Sequence, residues 1–132
     1  MSEQHMRQRV IQMLHPLDAI SVENAVYPGT PDINFCDGWL ELKQISKWPF
    51  NPNTNVLLRH FTPQQRVWLM RRWRAGGNVW MLLQCNREWL LLSGETAADL
   101  VGRAPRNTLI QAAHKYWEFG VEGEDLIAYL KR

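Results

Sequence analysis

A chain of 132 residues, 45% of them hydrophobic and with a net charge of +2, is long enough for one domain and apolar enough for a packed core, which excludes general disorder. No apolar run approaches the ~20 residues needed to span a bilayer. The polar N-terminus also lacks the apolar stretch of a signal peptide, so a soluble, cytoplasmic protein with no membrane partner is expected. Cys36 and Cys85 stand far apart and outside any metal-ligand spacing, so both are expected as buried apolar side chains rather than zinc ligands.

The chain opens with Ser2 as a helix cap and Met6, Val10, Met13 and Leu14 at helical spacing, which predicts a helix over about 3–14, broken before Pro16. Residues 19–26 suit a strand, and Pro28-Gly29-Thr30-Pro31 a loop. Ile33 to Cys36 and Trp39 to Ile45 then flank Asp37-Gly38, a dipeptide suited to a two-residue hairpin turn. Residues 46–58, with two prolines and three asparagines, read as a long loop. Thr62-Pro63 starts a second helix that should run to about Ala75 and stop at Gly76-Gly77. Asn78 to Cys85 and Glu88 to Leu92 read as two more strands, and residues 95–132 as helical pieces. The order α-β-β-β-α-β-β plus C-terminal helices predicts a single α/β domain over 1–132 with a central mixed sheet flanked by helices. Its core is expected over about 1–93 and a helical extension over about 95–132.

The modest net charge is unevenly spread. Residues 1–41 carry six acids and two bases, whereas residues 42–87 carry eight lysines and arginines and no acid. Such a block offers phosphates a basic face, unless it is only a solvated surface.

The hairpin supplies the chemistry. With Asp37-Gly38 as the turn, Cys36 faces Trp39, Asn34 faces Glu41 and Asp32 faces Lys43. Because side chains alternate along a strand, Asp32, Asn34, Glu41 and Lys43 share one face, and Ile33, Phe35, Leu40 and Leu42 the buried one. Two carboxylates and an ammonium would then converge. Adjacent carboxylates repel unless a cation intervenes, and Mg²⁺, with Mn²⁺ as substitute, takes one or two carboxylates among its oxygen ligands. An ordinary cross-strand ion pair is the alternative.

Gly29-Thr30-Pro31-Asp32, followed by Glu41-Leu42-Lys43, resembles the signature of the PD-(D/E)XK nucleases. Phe61-Thr62-Pro63-Gln64-Gln65 opening a helix, with Ala75-Gly76-Gly77 and a strand after it, is similar to the VRR-NUC and Holliday junction resolvase-like branch, over roughly residues 1–85. The resemblance implies a restriction-endonuclease-like core. It also implies a metal-dependent DNA endonuclease acting on branched or junction DNA, of a kind common in phage. Asp32 and Glu41 would be metal ligands, Lys43 the catalytic lysine, and Gln65 (or Gln64) a further site residue. Glu3 on the first helix, or Glu23, would complete the acidic set. A general nicking endonuclease and a non-catalytic DNA-binding or assembly module are the alternatives.

For DNA contacts, Arg72 shares a helix face with Gln65, and Lys47 and Arg59 lie on the long loop. Trp48 is the one tryptophan placed to stack on a base; Trp68, Trp73, Trp80 and Trp89 read as core. Cutting two strands takes two sites, so a homodimer is an expectation, with Leu109, Ile110, Ala113 and Trp117 at helical spacing supplying either its interface or cover for the same chain's core.

Overall fold

Parallel strands cannot be joined by a tight turn, and one such pair organises this chain. The computed structural model describes residues 2–24 and 26–132. In it β3 (Gly38–Ile45) and β4 (Val79–Cys85) run parallel, joined by a crossover that contains α2 (Pro63–Arg74). Every other pairing in the sheet is antiparallel. β1 (Ile20–Ser21) and β2 (Ile33–Phe35) flank β3, while β5 (Glu88–Ser93) and β6 (Lys115–Trp117) flank β4, giving the order β1-β2-β3-β4-β5-β6. The fold is therefore α/β, a six-stranded mixed sheet flanked by helices, as expected.

All seven residues of β4 are buried, which requires cover on both faces. On one face Met6, Val10 and Leu14, from and just after α1 (Glu3–Met13), join Leu126 of α5 (Gly123–Tyr129) over Ile33, Phe35, Leu40, Leu42 and Leu82. On the other, Trp68 and Leu69 of α2, Ala97 of α3 (Gly94–Leu100) and Leu109 of α4 (Arg106–Ala112) pack on Met81, Leu83, Leu90 and Leu92. The helix starts are those the sequence specifies. Ser2 Oγ accepts from His5 N, and Thr62 and Gln65 form a reciprocal capping box with Pro63 in the first turn.

Three expectations are corrected. The hairpin turn is Cys36-Asp37, which leaves Cys36 exposed where a buried thiol was expected, Cys85 alone being buried: Phe35 pairs with Gly38, Asn34 with Trp39 and Ile33 with Leu40. Gly38 is a strand residue, and its glycine answers to close packing, since a Cβ there would lie 2.0 Å from the Asn78 carbonyl oxygen. The register thus differs by two residues from the expected one, which changes partners but leaves every side chain on its expected face. β1 is far shorter than the strand expected over 19–26, within which Ala25 lies outside the described residues. Val22 N still donates to Asp32 O, but the Asn24 side chain then accepts from Val26 N and Tyr27 N and turns the chain away.

The third correction concerns the C-terminal third, which is no separate extension. α4 ends at Ala112, and the chain then adds β6 to the edge of β5, closing its exposed hydrogen-bonding side. Leu109 and Trp117, read as one helical stripe, lie in opposite cores. Both are buried within the chain, where they cover its core. Among the described residues no helix is long and apolar enough to cross a membrane.

Candidate active site

Asp32 ends the 28–31 loop at the point where β2 begins, and Glu41 and Lys43 lie in the middle of β3. The loop is held against the start of α2: Gly29 has φ +92°, and a Cβ on it would fall 2.4 Å from Gln64 O. Continued by one residue, the β2–β3 register brings Asp32 opposite Glu41 rather than Lys43. The contacts agree, since Asp32 N donates to Glu41 Oε1 at 3.2 Å and Asp32 Oδ2 accepts from Leu42 N at 2.9 Å.

Glu41 and Lys43 are almost fully buried, at 1% and 4% exposure. Lys43 Nζ donates to the His60 carbonyl oxygen at 2.9 Å and lies 3.6 Å from Glu41 Oε2, an ion pair too long for a good hydrogen bond. Glu41 Oε2 has no hydrogen-bond partner among the described residues. Burial, reinforced by the side chain and the charge of Asp32, pushes the Glu41 carboxyl well above the usual glutamate range, and Lys43 and the Asp32 backbone N–H offset this only in part. Arg7 of α1 reaches Asp32 Oδ1 at 3.4 Å. Two carboxyls, the Lys43 ammonium and the Arg7 guanidinium therefore gather around the start of β2 and the middle of β3, and Glu41 Oε2 has no hydrogen-bond partner among the described residues.

Lys43 also lines a cleft of about 350 Å³, whose walls include Glu3, Lys47, Pro49, Leu57 and Arg59. Of the expected DNA contacts, Lys47 and Arg59 thus gather beside Lys43. Arg72 does not line this cleft; its guanidinium stacks on Trp68 with the charge 4.5 Å from the ring centroid. The Gln65 side chain accepts from Thr62 N in the capping box, and Gln64 lies on a separate depression with Pro28 and Trp68. Glu3 reaches the cleft wall without forming a three-ligand cluster, and no group of three His, Cys, Asp or Glu placed to hold a metal occurs among the described residues. Glu23 is exposed just after β1. A larger cavity of about 540 Å³, between α2 and α3 and lined by Arg66, Met70, Arg71 and Arg103, contains none of the Asp32, Glu41 and Lys43 cluster.

The loop over 46–58 is fastened rather than loose. Trp48 Nε1 donates to Glu88 Oε2 at 2.6 Å, Val56 N donates to Ala104 O at 2.9 Å, and Asn55 bridges to Pro105. With Arg106 lying over its ring at 5.1 Å, half-buried Trp48 anchors this loop.

Two contributors escaped the sequence reading. Arg7 stands four residues after Glu3 and three before Val10, so its place beside the buried stripe was readable from helical spacing. The His60 carbonyl was not, because a main-chain acceptor leaves no mark on residue type. No family model, curated protein or solved structure matches this chain.

Proposed function

We propose that the chain is a metal-dependent DNA endonuclease with a restriction-endonuclease-like core, and that Asp32, Glu41 and Lys43 form its centre. The observation that carries this reading is Glu41 Oε2: a buried carboxyl oxygen with no hydrogen-bond partner among the described residues, beside a second carboxyl and a buried lysine. Burying such a group costs free energy unless something compensates it. A divalent cation would do so, and a pair of carboxylate ligands suits Mg²⁺ better than the softer metals. The chain-order context also fits the signature, with Asp32 at a loop–strand junction, Glu41-Leu42-Lys43 mid-strand and Thr62-Pro63 opening a helix.

Asp32 and Glu41 would hold the ion. When bound, Mg²⁺ supplies Lewis-acid polarisation of the phosphate and acidifies water. Lys43, which lines the cleft and whose ammonium is fixed by the His60 carbonyl, would stabilise negative charge growing on the phosphate. Lys47 and Arg59 would take flanking phosphates, contributing affinity without sequence preference.

A second reading, a DNA-binding module with a structural carboxylate pair, draws on Asp32, whose two oxygens already accept from Arg7 and from Leu42 N. Nicking of supercoiled plasmid separates the two. The endonuclease reading expects cutting with Mg²⁺ or Mn²⁺ that chelator abolishes and Glu41→Gln removes; retention of plasmid without any nicking supports the module.

A further inference from the structure

Phe50 is fully exposed, and Leu57, on the wall of the cleft, is 71% exposed. Single exposed apolar residues are ordinary, but these two belong to one segment, and that segment is tied at both ends. Trp48 is held by Glu88 and Val56 by Ala104, while between them Thr54 N donates to Asn51 O at 3.0 Å and Asn53 N to Asn51 Oδ1 at 2.9 Å. The turn over 51–54 is therefore a built one, and Phe50, immediately before it, is exposed to solvent. Its neighbour Pro49 lines the same cleft as Lys43, Lys47 and Arg59.

We infer that Phe50 is a specificity-determining residue of this cleft: its ring stacks on an unpaired base while Lys47 and Arg59 hold the adjoining phosphates. The inference rests on the cleft being a nucleic-acid site and adds to it the kind of strand the site prefers. An aromatic face beside a row of cations is the composition that binds single strands, because every base offers a π-face and every linkage a negative charge. A base inside a paired, stacked duplex offers no free face, so the ring favours strands, flaps or arms with unpaired bases. A protein partner docking on Phe50 and Leu57 would not need three cations in the groove beside them.

The test is binding without added metal, read by anisotropy on a labelled single strand and on a blunt duplex, with 2-aminopurine fluorescence reporting stacking. Phe50→Ala, at a fully exposed position, leaves the core untouched. It is expected to weaken single-strand binding by about 5- to 100-fold and to abolish the 2-aminopurine quenching, with about a twofold loss or less on duplex. Phe50→Trp is expected to restore both, and Lys47→Ala to weaken the two substrates alike. Equal effects of Phe50→Ala on strand and duplex, or none on either, would overturn the stacking role and leave the nuclease reading standing. Wild-type protein that binds neither substrate would overturn both.

Discussion

At Glu41, burial and a neighbouring acid act in the same direction, and the sign of the consequence follows. The native state holds a proton that the unfolded chain releases in the ordinary glutamate range. Between that range and the raised native value the folded form binds more protons, so stability falls as pH rises. The metal-free protein is expected to lose stability from about pH 5 upward with a slope approaching 1.4 kcal/mol per pH unit at most, and Glu41→Gln to flatten that dependence in denaturant titrations. Added Mn²⁺ should reverse the trend in the wild type, because a cation favours the ionised pair, and raise the melting temperature more at pH 8 than at pH 6. A Glu41→Gln protein whose melting temperature rises as much with Mn²⁺ would place the metal elsewhere. At this scale the sequence was informative: Glu41 and Lys43 were expected on the face opposite Leu40 and Leu42 and are found there, because strand alternation survives a two-residue change of register. Which carboxylate faces which partner was not legible, since Gly38 reads as a turn glycine and its real constraint, the Asn78 carbonyl, lies on another strand.

The 46–58 segment shows what a charge pattern hides at the level of elements. Glu88 is the first acid after a 46-residue stretch without one. Its Oε1 accepts from Arg106 at 2.7 Å and Tyr116 at 2.6 Å, and its Oε2 from Trp48 at 2.6 Å. These partners lie 18, 28 and 40 residues away, beyond the reach of any local motif, which is why the segment read as an unsupported loop. Burial acts to raise the Glu88 carboxyl, but the donors Tyr116, Trp48 and Arg106 together outweigh it and hold the group below the glutamate range. The stability it contributes is therefore present above that range and is lost as pH falls through the lowered value. Glu88→Gln is expected to destabilise the fold by about 1.5–3 kcal/mol, toward the lower end because Arg106 is partly exposed, and to speed amide hydrogen exchange over 46–60 more than in β4. Uniform acceleration across the sheet would mean that Glu88 holds the whole fold and not this loop.

For the whole molecule, the order of elements through β5 was legible because periodicity, caps and turn residues agree there. The last third was not. Leu109, Ile110, Ala113 and Trp117 fit a helical period, yet the first two lie in a seven-residue helix that Ala113 caps and Trp117 ends a three-residue strand, with Leu109 and Trp117 in opposite cores, since the open edge of β5 is closed by β6. The segment completes the domain: Leu126 is fully buried and sits in the core that α1 covers. Leu126→Ala is expected to cost about 2–5 kcal/mol in urea unfolding, independent of protein concentration, because the contact is within one chain. A loss that shrinks as concentration rises would point instead to an interface between copies.

The central claim, that Asp32, Glu41 and Lys43 form a metal-dependent phosphodiester-cleaving centre, is tested most directly by single-turnover cleavage of end-labelled linear, flapped and four-way-junction DNA. Wild type and Lys43→Ala would be compared at equal protein and Mg²⁺ or Mn²⁺ concentration. The account predicts metal-dependent cutting by the wild type, a loss of about 10²-fold or more in the variant with DNA binding largely kept, and faster cutting of flaps or junctions than of blunt duplex. Binding of every substrate without cutting, identical in wild type and variant, would contradict it and leave the buried carboxylate pair as a structural feature of a DNA-binding module.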